Sequence, residues 1–119
     1  MMRAALIALA ALHGLAGVAG AAIGAHGDVA ASVSTAATMQ SLHALAALAA
    51  LALLEGRAAY VTAALFIVGA LLFAGALYAS GLGGFSLGPT APTGGVIMML
   101  GWALFAIMGF TRSANSPPR

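Results

Sequence analysis

Lysine and cysteine are both absent from these 119 residues, and the only acids are Asp28 and Glu55. The missing cysteine excludes disulfides, thiolate metal sites and a cysteine nucleophile. With no lysine and no basic patch, the isoelectric point near 10.0 is not a nucleic-acid footprint. Two acids in different loops give no carboxylate pair, and the chain offers no nucleophile–base–orienter triad and no nucleotide loop. The expectation is therefore a protein that is not an enzyme. Charge as a whole is scarce: 5% of residues, against about 25% in a soluble domain. With 63% hydrophobic residues to bury, the solvent must be lipid.

What is present is a succession of long apolar runs. A helix crossing the hydrocarbon needs roughly 20 residues. The first run, residues 4–25, meets that length with no charge between Arg3 and Asp28. It is longer than the roughly 7–15 residues of a signal-peptide core, so it is expected to be retained as a span. The polar residues His26, Asp28, Ser32, Ser34 and Thr35 then break the pattern. A second span, 36–54, ends at the charged turn Glu55-Gly56-Arg57. The long uncharged stretch that follows is split by the turn residues of 81–92, giving spans at 58–80 and 93–111. Residues 112–119, with Pro117 and Pro118, read as a frayed tail. The fold class predicted is an all-α membrane protein, a single compact bundle of four transmembrane helices.

All four arginines fall on one side of such a bundle: Arg3, Arg57, Arg112 and Arg119. Arginines flanking spans stay cytoplasmic, so both termini are expected inside, in a bacterial inner membrane. Helices in lipid gain nothing from apolar burial and must associate by close packing and hydrogen bonds. The 32 alanines and 16 glycines supply the close packing. In span one, His13, Gly17, Gly20 and Gly24 share a face. Gly75 with Ala79 forms a small-residue pair in span three, and Gly94, Met98, Gly101, Phe105 and Gly109 a stripe in span four. These faces are expected to meet one another within a monomeric bundle, with a homodimer contact as the alternative, because the same motif serves both uses. Thr90 is read as the N-cap of span four, with Pro92 in its first turn. Gly94 and Gly95 allow close backbone approach, a reading preferred to phosphate binding because no basic residue stands nearby.

Most polar side chains then lie in the outer half: His26, Asp28, Gln40, His43, Tyr78, Ser80, Ser86, Thr90 and Thr93. That asymmetry suggests an outward-facing polar pocket or contact surface, with His26, Gln40, His43, Tyr78 and Thr90 as candidate ligand-binding residues. Counting 1.5 Å per residue puts His43 about 10 Å below the outer boundary and His13 about 15 Å in from Arg3. An ionisable side chain there points inward to a partner or a pathway. Three uses compete for the two histidines: structural hydrogen bonds to a carbonyl or to Gln40, a site for a quinone, proton or other small ligand, and paired axial ligation of haem. His26 with Asp28 falls short of a metal site, since two ligands do not make one. Trp102 and Tyr60 need only packing or interfacial anchoring. Met98, Met99 and Met108 read as core filler.

Five segments follow one another along the chain: Gly20-Ala21-Ala22-Ile23-Gly24-Ala25-His26, Gln40-Ser41-Leu42-His43-Ala44-Leu45, Leu72-Phe73-Ala74-Gly75-Ala76-Leu77-Tyr78, Leu87-Gly88-Pro89-Thr90-Ala91-Pro92-Thr93-Gly94-Gly95, and Gly101-Trp102. Their order resembles a known family, domain-of-unknown-function family four hundred and twenty-three, typified by YgdD-like small inner-membrane proteins of bacteria. Ala74 and Ala76 stand where the family pattern has hydroxyl-bearing residues, and Thr93 replaces a bulky aliphatic. The resemblance implies a four-helix membrane protein with no established activity. The functional expectation is a scaffold or accessory subunit of a larger membrane assembly, partnered by lipids and other membrane proteins. The rival expectations are a lipid, quinone or small-molecule site in the outer half, and an oligomeric transporter or channel subunit.

Overall fold

Each apolar run becomes one long helix in the computed structural model, which describes residues 1–114: α1 (Met2–His26), α2 (Ala31–Leu53), α3 (Gly56–Gly83) and α4 (Thr90–Ala114). All four are long and apolar enough to cross a membrane. Arg119, Pro117 and Pro118, and with them most of the expected tail, lie outside the described residues.

The helices run past the expected boundaries, for local reasons. α2 begins five residues early because its hydroxyls bond within the helix. Thr35 Oγ1 donates to Ala31 O at 3.3 Å and Thr38 Oγ1 to Ser34 O at 2.9 Å. α3 continues through Gly81 to Gly83, where a helix stop was expected after Ser80. It ends when Gly84 takes the left-handed conformation (φ 70°), open to a residue with no Cβ. The N–H groups of Gly84 and Phe85 then close on the carbonyls of Ser80 and Ala79. α4 starts at Thr90, so Thr90 is not the cap. The first helical bond runs from Thr93 N–H to Pro89 O, and Thr90 Oγ1 donates to Leu87 O at 2.7 Å instead of accepting from an amide.

Loops of four, two and six residues join the helices, and every consecutive pair is antiparallel. The pairings show it: Gly17 lies against Ser41 and Gly24 against Ser34, Gly81 against Ser32, and Gly94 against Phe73 while Gly101 faces Phe66. Met1, the Glu55 hairpin and the end of α4 therefore share one end of the bundle. There Arg112 bonds the Leu53 carbonyl, one of the orphan acceptors ending α2, and pairs with Glu55 at 2.7 Å. Both side chains are more than half exposed, so the ion pair itself contributes little, about 0–1 kcal/mol.

α2 and α3 form the centre. Half of α2's most apolar window and 44% of α3's are buried, against 22% for α1 and 17% for α4. α1 packs on α2, α4 packs on α3, and α1 and α4 do not meet among the described residues. Alanines fill the centre: Ala36, Ala47, Ala63 and Ala70 have no exposed surface, and Phe66 is the largest side chain with none.

The glycines divide sharply by role. A methyl group on Gly17 would overlap Ser41 Oγ, one on Gly20 the Tyr78 hydroxyl, and one on Gly24 the Ser34 hydroxyl. Gly94 faces main chain at Phe73 and Gly69, and Gly101 faces the Phe66 ring. Gly95 has only ordinary contact with Phe73. Gly75 and Gly109 have nothing within 4 Å, so the packing expected of them is absent. Gly75 points off the α3–α4 seam, and Gly69, two turns earlier, takes its place against Met98 and Gly94.

Candidate functional site

Three of the buried polar side chains sit on the middle turns of α1 and α2, and a fourth, Thr62, is on α3. On α1, Ala10, His13, Gly17 and Gly20 are the buried residues, spaced three, four and three apart on one face. On α2, Ala36, Ala37, Ala44 and Ala47 keep the backbone close to its neighbours, so Gln40 and His43 fill what space remains. His13, Gln40 and His43 are 8%, 6% and 4% exposed.

His43 has a determinate state. Trp102 Nε1–H can only donate, and it lies 3.2 Å from His43 Nε2, so Nε2 is the acceptor. Met39 O can only accept, and it lies 2.8 Å from Nδ1, so Nδ1 carries the proton. These two bonds are compatible only with neutral imidazole in one tautomer. Phe66 holds the arrangement from α3, its ring 5.7 Å from His43 and 4.9 Å from Trp102, with Phe105 beyond. The His43–Trp102 bond joins α2 to α4, two helices that otherwise barely touch.

His13 is bound differently. Gln40 Nε2 donates to His13 Nδ1 at 3.3 Å, which places the His13 proton on Nε2. Gln40 Oε1 is buried with no partner, as are Thr62 Oγ1 and the Tyr78 hydroxyl. Flipping the Gln40 amide would exchange its two ends and still leave one of them unpaired.

The five residues expected to share an outer pocket do not converge. Gln40 and His43 lie in the core, each committed to a neighbour. Tyr78 packs against Gly20 between α1 and α3. His26, the last residue of α1, and Asp28, just beyond it, are exposed, while Thr90 is bonded to its own loop at the start of α4, a helix that α1 does not reach. No three His, Cys, Asp or Glu side chains group as metal ligands among the described residues. Paired axial ligation of haem does not fit, because it needs a lone pair from each imidazole and His43's is taken by the Trp102 N–H.

Trp102 was expected only to pack or anchor, and its role as a donor to His43 is new. The two are 59 residues apart and no local signal connects them. Ser41, Ser34 and Ser32, seated against Gly17, Gly24 and Gly81, were likewise outside the expected set.

A family model described as "Protein of unknown function (DUF423)" matches residues 7–95, which hold most of α1, all of α2 and α3, the loop after them and the start of α4. No curated protein and no solved structure matches the chain.

Proposed function

We propose, for a chain that belongs to the DUF423 family, a non-enzymatic role as a scaffold or accessory subunit of a larger membrane assembly. The observation that carries this reading is the contrast between a half-buried centre and barer flanks. About half of α2 and of α3 is buried within the bundle, while α1 and α4 leave most of their surface to whatever shares the bilayer. On α4 that surface holds a groove of ≈350 Å³ lined by Trp102, Phe105, Ala106, Gly109 and Phe110, with nothing within 4 Å of a methyl on Gly109. The polar core supports the same reading. His43 has both ring nitrogens engaged, Nδ1–H on Met39 O within α2 and Nε2 on the Trp102 N–H from α4, which leaves it no lone pair to offer.

A photoreactive residue in place of Ala106 tests the proposal in native membranes. One discrete crosslinked protein band is the expected result. Crosslinks to lipid alone, together with recovery of only free monomer, would remove the support for a subunit role.

The orientation proposed places both termini in the cytoplasm of a bacterial cell, because Arg3, Arg57 and Arg112 gather at one end of the bundle. With no native cysteine to interfere, single-cysteine variants at Ser86 and Glu55 report sidedness directly. An impermeant thiol reagent added to intact cells is expected to label Ser86→Cys and spare Glu55→Cys. The reverse pattern would invert the proposal. The transporter reading has less support, since no charged side chain among the described residues is buried in the interior of the bundle.

A further inference from the structure

Between α1 and α3, in the half of the bundle away from Arg3, lies a crevice of ≈300 Å³ lined by Ala16, Ala19, Gly20, Ile23, Tyr78 and Leu82. The Tyr78 hydroxyl is the one side-chain heteroatom among those residues. It is buried, it has no hydrogen-bond partner, and it rests against Gly20. A buried hydroxyl left unpaired costs about 1–3 kcal/mol, and no acceptor among the described residues meets it, so an acceptor from outside the chain would remove that cost.

The depth of Tyr78 identifies that acceptor. The 28 residues of α3 span roughly 42 Å at 1.5 Å per residue, matching the ~40–45 Å of a bilayer with its headgroup layers. The hydrocarbon is ~30 Å thick, so its boundary lies roughly 6 Å inside each helix end. Tyr78 is five residues from Gly83, roughly 7.5 Å from that end. This is the level at which ester carbonyls join acyl chains to glycerol. Below it the crevice is hydrocarbon, kept open by the small side chains of Ala19 and Ala16.

We propose that the crevice binds one acyl chain of a phospholipid from the leaflet on the Ser86 side, whose ester carbonyl accepts the Tyr78 hydroxyl. The phenol turns off Gly20 into the crevice to make this bond, and the chain descends along Ala19 and Ala16. The proposal is independent of the subunit role, since it concerns α1 and α3 rather than α4.

The test compares the purified chain in nanodiscs of palmitoyl-oleoyl phosphatidylglycerol with the same chain in the dialkyl ether analogue, which keeps the headgroup and lacks the carbonyl. The unfolding midpoint of the unaltered chain is expected to fall by roughly 3–6 °C in the ether lipid. Tyr78→Phe is expected to have the same midpoint in both lipids. Ala19→Leu, which fills the crevice and keeps the phenol, is also expected to lose the difference. Equal midpoints for the unaltered chain would overturn the proposal, whether or not either variant folds, and so would an equal drop in Tyr78→Phe. Recovery in ether discs on adding a lipoquinone would overturn the phospholipid as occupant.

Discussion

Gly94→Ala is expected to destabilise the bundle by about 2–3 kcal/mol, while the same one-carbon change at Gly75 stabilises it by about 0.5–1 kcal/mol. Both glycines lie in helices, so alanine gives each the same gain in helix propensity. What differs is the space. A Cβ on Gly94 falls 2.5 Å from Phe73 N and 2.6 Å from Gly69 O, both main-chain atoms of α3. No side chain can swing aside to relieve that overlap, so the two helices must separate. Separation also pulls Gly101 off Phe66 and Met98 off Gly69, because all three contacts lie on one seam. In lipid the seam has little besides packing to hold it. Gly75 meets nothing within 4 Å, so there the propensity gain stands alone. Unfolding in mixed micelles measures both. Equal and small effects at the two positions would mean that α3 and α4 are not in the close contact described.

The contrast also shows what was legible in the sequence. Helix number and packing style followed from the scarcity of charge and the excess of small residues, which any arrangement of four spans shares. The α1 face of His13, Gly17 and Gly20 was legible because the helical repeat alone puts those residues together. Gly75 was misassigned for the complementary reason. Periodicity says which residues share a face, but only tertiary packing says which face of α3 meets α4, and Gly69 lies on it. The start of α2 was hidden because Ser and Thr read as helix breakers until their hydroxyls are seen bonding one turn back.

The candidate site divided along the same line. Depth in the bilayer can be counted from residue number, so the level of His13 and His43 was accessible in advance. Direction around the helix axis was not. His26, Tyr78 and Thr90 were grouped by depth, yet they stand on different sides of the bundle. The pairing of His43 with Trp102 depends on α4 reaching across α3 toward α2, a relation between residues 59 apart that composition does not encode.

That pairing supports the second large effect. His43→Leu is expected to cost about 2–3 kcal/mol, since it removes the Trp102 partner and strands an indole N–H in a setting without water. Trp102→Phe is expected to cost a similar amount, leaving the His43 Nε2 lone pair unpaired in a site 4% exposed. With both changes made, no polar group is stranded, so the double variant should be more stable than the two losses summed. Coupling between side chains inside membrane proteins averages ~0.6 kcal/mol and reaches ~1.7. A value near the upper end is expected here, because both partners are held in place before they meet. Met39 O fixes the imidazole tautomer, and Phe66 packs against both rings. Trp102 is the only tryptophan, so tryptophan emission reports on this indole alone. It is expected to shift to shorter wavelength in His43→Leu as the indole loses its acceptor. A coupling energy near zero with unchanged emission would mean that α4 is held by the Gly69–Gly94 seam and the Arg112 contacts, with no polar tie at mid-membrane.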